Sequence, residues 1–425
     1  MKEPNLRTVT QRFGHLERGH HPWKSSGTAA AAALIVVTGL APTGCATSEE
    51  KPLQARVIKI ATQSPLSGGQ AALGEAIELG AQFAVEKLKG PIEQAGFTVE
   101  LVPFDDEARP NSGVANAKKI ISDPDFLLVI GHLNSGVAIP SSEVYREVDL
   151  AMISPANTNP RITDRGYPNI NRVIGRDDVQ GTVGAEFARS DLQARSAFVI
   201  HDRTRYGQGT AEFFRARAQD LGIRIVGFEG TEEKVNFAPI IARIKASEPD
   251  VVYFGGIYDQ AGAFFKEARG AGLRAAFLGP DGMDSSDLAK IAGQSVVGLH
   301  YTTTAGPVIV YPGAREFARE FRSRFGKEPE PYAVEAYDAT MIGLKALELA
   351  IQEAGGQRPT RKQVSATIRH LPEMQGVTGP ISFDEKGDRK RARYFVLRIV
   401  SPDPSSWGQN RLMKRIEVAP PPLRR

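Results

Sequence analysis

The groups able to do covalent chemistry are few. The chain has one cysteine, Cys45, and only four histidines follow it: His132, His201, His300 and His370. None stands at a metal-ligand spacing. There is no G-x-S-x-G and no Walker A loop, and the one S-x-x-K, Ser48–Lys51, lies in a short polar run just after Cys45. A G-x-G-x-x-A runs from Gly270 to Ala275, but it follows a helical pattern instead of a strand, so it reads as a helix C-terminus and not as a dinucleotide loop. The adjacent Asp105 and Asp106 could form an acid pair, yet at a strand end a loop role is the simpler reading. No nucleophile has a base beside it, which makes an enzyme the weaker class. No cofactor is implied.

The remaining polar chemistry sits in loops. MISPANTNPRIT, Met152–Thr163, leaves an apolar run and drops into Ser, Asn and Thr between prolines. It is either a surface loop or a rim of short hydroxyls and backbone N–H groups around a small polar ligand. TQSPLSGGQAALG, IGHLNSG, HDRTRYGQG, GGIYDQ and GPDGM share its position, each directly after an apolar strand pattern. Each residue has a plainer role too. Ser135 can cap the helix that follows, can present that helix N-terminus to an anion, or both. Thr158 can simply hold its loop. Asp281, in Pro-Asp-Gly, is a natural turn residue. Tyr206 can be surface packing.

The elements that would position these loops alternate. RVIKIATQS reads as a strand and EAIELGAQFAVEKL as a helix with apolar residues at helical spacing. TVELVPFDDEA is a strand, 111–122 a helix, DFLLVIG a strand and 138–148 a helix. The alternation restarts at SAFVIHD and runs through GTAEFFRARAQDLG, IRIVGFEG, PIIARIKASEPD, DVVYFGG, AGAFFKEARGAGL and AAFLGPDGM. Such βαβα order predicts an α/β fold of doubly wound parallel sheets. In open parallel sheets the ligand crevice lies at the carboxyl ends of the strands. Two such units facing one another would enclose a cleft. Beyond 313, EFAREFRSRFG and AVEAYDATMIGLKALELAIQEAG are helices. GPISFDEKGDRKRARYFVLRIV reads as two strands joined by a turn, and PSSWGQNRLMKRIEVAPPPLRR as a polar, Pro-ended tail.

The chain has 425 residues, 41% hydrophobic and 24% charged, within the range of a soluble globular protein. The first 45 residues hold five Lys/Arg and two Asp/Glu, which leaves 48 basic against 47 acidic residues in the body. So even a balance argues against nucleic acid as a partner. The apolar stretch Ala29–Ala41 has 13 residues and follows a basic leader. A membrane span needs about 20, so residues 1–45 read as an export signal; a buried Ala-rich helix is the alternative. Cys45 follows Gly44 at its end, a place resembling a lipoprotein cleavage and lipidation site, although Pro42 and Thr43 depart from the usual residues there. Lipid attachment at Cys45 and ordinary cleavage with free secretion are the two outcomes. Residues 46–56 form a tether. A lone cysteine leaves no intramolecular disulfide and no Cys metal site.

PLSGGQAALG, DDEARP, VIGHLNSG, MISPANTNPRIT, RYGQG, VVYFGGIYDQAGAFFKEARGAGL, FLGPDGM, PYAVEAYDA and TGPISFDEKGD occur in this order over residues 57–400. The series resembles the branched-chain amino-acid-binding family of periplasmic binding proteins, the substrate receptors of ABC importers. The resemblance implies two lobes, 57–175 with 306–385 and 176–305 with 386–420, joined by three hinge strands near NRVIGRDD, TTTAGP and FDEKGD. It implies a monomer, exported to the periplasm or cell surface, that hands an amino acid to an ABC permease in the membrane.

The resemblance also implies residue roles. Ser135 would hold the ligand α-carboxylate by hydroxyl and N–H, with Leu133 and Asn134 beside it. Ala156, Asn157 and Thr158 would approach the zwitterion through backbone and hydroxyl groups, and Asp281 would pair the ammonium. Leu73, Ile257, Tyr258, Tyr206 and Tyr332 would wall the side-chain pocket. Leu73 and Ile257 stand where the family often has aromatics, and Asp281 where it often has Glu. Ala108 and Asn134 stand where some members have a disulfide. An aliphatic or aromatic amino acid fits this set. The alternative is a ligand sensor of the same fold for an amide, urea or aromatic acid, without a transport role.

Overall fold

The computed structural model describes residues 56–311 and 313–422. The expected signal segment, Cys45 and all but the last residue of the tether lie outside the described residues. The strands in chain order are β1 Arg56–Ser64, β2 Phe97–Asp105, β3 Phe126–Gly131, β4 Ala151–Ser154, β5 Ile170–Arg172, β6 Ser196–His201 and β7 Arg224–Gly230. They continue with β8 Val251–Gly255, β9 Ala276–Gly279, β10 His300–Thr303, β11 Met374–Gly376, β12 Gly379–Ile381, β13 Ala392–Arg398 and β14 Arg411–Val418. The helices are α1 Ala71–Leu88, α2 Gly90–Gln94, α3 Pro110–Ser122, α4 Ser135–Arg146, α5 Asp177–Ser190 and α6 Arg205–Asp220. They are followed by α7 Ala238–Ser247, α8 Tyr258–Gly270, α9 Ser286–Ala292, α10 Ala314–Phe325, α11 Ala333–Glu353 and α12 Arg361–His370.

These elements make two α/β lobes. The first sheet has the order β2-β1-β3-β4-β5 with every pairing parallel. Its strands β3 and β4 are buried along their whole length, as a sheet covered on both faces requires. The second sheet has the order β14-β13-β10-β9-β8-β6-β7. Its parallel part, β7-β6-β8-β9-β10, repeats the winding of the first sheet. β13 and β14 are antiparallel additions at one edge. The second lobe is thus the expected parallel sheet extended at one edge by two antiparallel strands.

The last segment departs from its expected form most. It is not a free tail: Trp407 is buried and β14 pairs with β13 over Arg411–Val418. Ile416 and Val418 pack on the second lobe while Arg411, Leu412, Met413, Arg415 and Glu417 face outward. That alternation is the pattern of an edge strand, hidden in the sequence by its basic residues. GPISF and RYFVLRIV are both strands, but they do not pair with each other: β12 pairs with β11, and β13 with β10 and β14.

The chain passes to the second lobe after β5, returns after β10, and passes over again between β12 and β13. The returning stretch supplies α11 and α12, which cover the first sheet, and α10, which packs on α1. Helix α11 lies close against α1. A Cβ on Gly80 would stand 2.1 Å from the Ala333 carbonyl oxygen, so only glycine permits this approach. The rings of Phe83, Phe317, Phe321 and Phe325 fill the space beside it edge to face. No described helix is long and apolar enough to cross a membrane.

Candidate functional site

Both sheets reverse their winding beside the strand next to one edge, β1 in the first and β6 in the second, the place where loops at the carboxyl ends of an open sheet diverge and ligands bind. The expected site residues all belong to that end or to the helix starts just beyond it. Leu73 follows β1; Leu133, Asn134 and Ser135 follow β3; Ala156, Asn157 and Thr158 follow β4. From the second lobe Tyr206 follows β6, Ile257 and Tyr258 follow β8, and Asp281 follows β9. Tyr332 arrives from the N-terminus of α11. Leu73, Leu133, Ala156, Tyr206, Ile257, Tyr258 and Tyr332 fall in one buried apolar cluster spanning both lobes. The lobes are therefore closed on one another, and Asn159 Nδ2 donates across the gap to the Arg205 carbonyl at 3.1 Å.

Asp281 is the hub of the second-lobe side. It opens a short turn, Asp281–Met283, and is buried. Its Oδ1 accepts from the Tyr206 hydroxyl at 2.6 Å, and its Oδ2 from the Tyr332 and Thr304 hydroxyls at 3.1 Å each. Its N–H donates to Gln180 Oε1 at 3.3 Å. The Tyr206 oxygen also accepts the Gly282 N–H at 2.6 Å. A Cβ on Gly282 would lie 2.5 Å from the Gly256 carbonyl and 2.9 Å from the Tyr206 ring, so this packing needs glycine. Burial raises the Asp281 pKa, and the donors from Tyr206, Tyr332, Gln180 and Thr304 only partly offset it. Tyr332 holds a left-handed backbone, φ +73°, which is uncommon for a non-glycine residue and a form of local strain. The strained position is the one that carries its hydroxyl to the other lobe.

Sequence reasoning missed the other acid. Asp177 is the first residue of α5 and has no exposure; neither of its carboxylate oxygens has a hydrogen-bond partner. Burial is the largest cause of its strongly raised pKa, and the charge of nearby Asp281 adds to it. The Thr158 hydroxyl is near enough to ease the charge, but it lacks the geometry of a hydrogen bond and is itself without a partner. Gln180 Nε2, one turn along α5, is a fourth buried orphan. Native interiors rarely leave such groups unpaired, and an unpaired buried charge is the costliest case. Two acids side by side, with no cationic side chain bonded to either, present a place for a cation. The signal was on view in Asp177-Asp178 at a helix start, but only the tertiary fold brings Asp177 beside Asp281.

The first-lobe side is built for backbone approach. Ser135 is the first residue of α4 and is not its cap; Asn134 holds the cap position without a side-chain cap bond. The Ser135 hydroxyl accepts only a long bond, 3.4 Å, from the Asn159 N–H, so it retains capacity at a helix N-terminus. Asn134 donates to Gln70 at 2.8 Å while its Oδ1 is buried without a partner. Asn157, expected among the ligand contacts, is engaged throughout. Its carboxamide bonds the His132 N–H, the Ser154 hydroxyl and the Leu133 carbonyl, its N–H donates to Ser154 and its carbonyl accepts from Arg172. It shapes the loop, and each of its polar atoms already has a partner. Tyr206 likewise acts through Asp281 and not only as a wall. Asp105 and Asp106, the other acid pair, organise the turn after β2. Among the described residues no group of three or more His, Cys, Asp or Glu could hold a metal ion.

Residues 57–404 match the family model described as periplasmic binding protein. A Leu/Ile/Val-binding protein homolog 2 of Brucella abortus is 36% identical over 342 residues, 80% of this chain and 90% of that protein. An amino acid binding protein of Pseudomonas aeruginosa is 35% identical over 342 residues, with 80% and 89% covered. The crystal structure of a leucine-binding protein, LivK, of Thermotoga maritima superposes with a TM-score of 0.75 at 28% identity, covering 84% of this chain and 98% of that one.

Proposed function

Since the chain belongs to the periplasmic binding protein family, we propose that it is an extracytoplasmic receptor that closes on an amino acid and presents it to an ABC permease. One observation carries the reading: the cleft buries Thr158 Oγ1, both Asp177 oxygens and Gln180 Nε2 without partners, next to Asp281. A zwitterion meets that set of needs. Its ammonium pairs Asp177 and Asp281 and takes up the Thr158 hydroxyl, while its carboxylate takes the donors of Ser135 at the start of α4. Burying both ligand charges is affordable only with such fixed partners. Leu73, Ile257, Tyr258 and Tyr332 give the side chain an apolar wall, which favours a branched or otherwise apolar amino acid.

No chemistry on the ligand is required. Contacts come from both lobes, so the ligand gains its full set only in the closed form and shifts the population toward it. The lobes pivot on three crossings, with the first lobe ending near 175 and resuming from 306 to 385. The receptor acts as a monomer, exported and held at the membrane through Cys45.

Calorimetric titration of the purified chain with leucine, isoleucine, valine, phenylalanine, benzoate, acetamide and urea tests the proposal. Binding of an aliphatic amino acid is the expected result. Binding confined to benzoate, acetamide or urea overturns it and favours the sensor reading.

A further inference from the structure

Outside the ligand site, the first crossing holds a buried ionic cluster centred on Arg172. This is the largest fully buried side chain of the described residues. It ends β5, and its one guanidinium serves four oxygens. Nη1 donates to the carbonyls of Asn157 and Asn159, 3.0 Å each, Nε to Asp388 Oδ1 at 2.6 Å, and Nη2 to the Thr163 hydroxyl at 2.5 Å. Between the two bonded carbonyls, that of Thr158 accepts the Asp177 N–H at 2.9 Å. Three consecutive carbonyls of the ligand loop are thus tied to residues 172–177, the segment that crosses between the lobes.

Asp388 links this arrangement to another crossing. Its Oδ2 accepts from Arg176 Nη1 at 2.7 Å and pairs Lys386 at 3.2 Å. Burial opposes ionisation of Asp388, but Arg172 and Arg176 outweigh it and hold its pKa well below the ordinary carboxylate range. Arg176 in turn grips Asp164 of the first lobe and Asp178 of the second.

We propose that Arg172 is a positioning residue for ligand binding: it holds the Ala156–Asn159 loop in its ligand-accepting form and, through Asp388, couples that form to the hinge. The physical reason lies in the peptide unit. A trans peptide points its C=O and N–H in opposite directions. Drawing the Asn157 carbonyl toward Arg172 therefore turns the Thr158 N–H away from it, and drawing the Thr158 carbonyl toward Asp177 sends the Asn159 N–H to Ser135. The guanidinium has five N–H donors in a planar fork and serves four oxygens here; an ammonium has only three donors at one point and cannot replace it. A change in the angle between the first and third crossings moves Asp388 against Arg172 and so reaches the loop.

The inference rests on the cleft being the ligand site, so its test uses one readout that needs no ligand. Arg172→Lys, Asp388→Asn and Thr163→Val are compared with the unaltered chain by hydrogen exchange of the ligand-free protein. Removing bonds to a charged group should speed exchange of the 156–159 amides about tenfold in the first two variants and about threefold in Thr163→Val. The 202–207 loop of the second lobe should stay as protected as before. With leucine as probe, stopped-flow dissociation should quicken by about the same factors, with association little changed. Unchanged protection at 156–159, or equal loosening of both loops, overturns the role of Arg172. Thr163→Val removes a single hydroxyl and keeps the test readable should the charge variants not fold. Leucine titration of the unaltered chain reads the ligand proposal separately.

Discussion

The Tyr332 hydroxyl donates to Asp281 Oδ2 at 3.1 Å, and it does so from one lobe to the other. Tyr332 precedes α11, which covers the first sheet, whereas Asp281 follows β9 of the second. The bond exists only when the lobes are shut. Tyr332→Phe keeps the ring and deletes the bond, so it should disfavour the closed form and weaken leucine binding by about 1–3 kcal/mol. Isothermal titration measures this directly; an affinity equal to that of the unaltered chain would remove the bond from the closing equilibrium.

The two acids of the cleft should respond in opposite ways to amide replacement. Asp177 has no partner and burial raises its pKa strongly, so at neutral pH the ligand-free fold must either take up a proton there or hold a bare charge; Asp177→Asn removes that cost and should raise the ligand-free melting temperature. Asp281 accepts from three hydroxyls, so Asp281→Asn breaks a satisfied network and should lower it. Both should weaken leucine binding about 10- to 100-fold through the lost ammonium pairing. Melting curves and titrations on the two variants separate these effects, and equal melting shifts of one sign would contradict the assignment.

Glu335 gives a pH signature. Burial pushes its pKa from 4.5 to about 8, with the charge of Asp338 adding to the rise and Arg389 opposing it. The folded state keeps the proton where the unfolded state has lost it, so the contribution is fully present below about 4.5 and is lost as pH rises to about 8. Glu335→Gln cannot ionise. Its stability relative to the unaltered chain should climb across that window, by at most about 1.4 kcal/mol per pH unit, and level off outside it. Thermal melts from pH 4 to 9 would read the difference; a flat difference would mean that the side chain is ionised in the fold throughout.

Cys45 carries a prediction of its own. If it is lipidated, Cys45→Ala should move the protein from the membrane fraction to the soluble extract. Recovery of that variant only with detergent would contradict the anchor.

Much of the architecture was legible because alternating strands and helices leave a periodic mark, and because parallel winding fixes where loops must gather. The loops around Ser135, Thr158 and Asp281 stand where that rule puts them, and the family resemblance supplied the roles expected of those residues. Asp177 was not, because nothing in Arg176-Asp177-Asp178 distinguishes an acid aimed at a cleft from one at an ordinary helix start; the distinction is its distance from Asp281, across a separation of 104 positions. Arg172 was hidden for the same reason, its partners lying at 157, 159, 163 and 388. β14 was missed on composition, since Lys414, Arg415 and Glu417 suit a solvated edge as well as they suit a tail.

The placement of β14 bears on how the molecule is made. The second sheet draws on residues from 196 to 303 and is completed at one edge by strands ending at residue 418. The first lobe likewise waits for α11 and α12 before its sheet is covered. A chain synthesised from its N-terminus can therefore finish the first half only after α12 has emerged and the second only after β14 has. Removal of the last fifteen residues would strip β14 and bare the paired groups of β13, a template for aggregation.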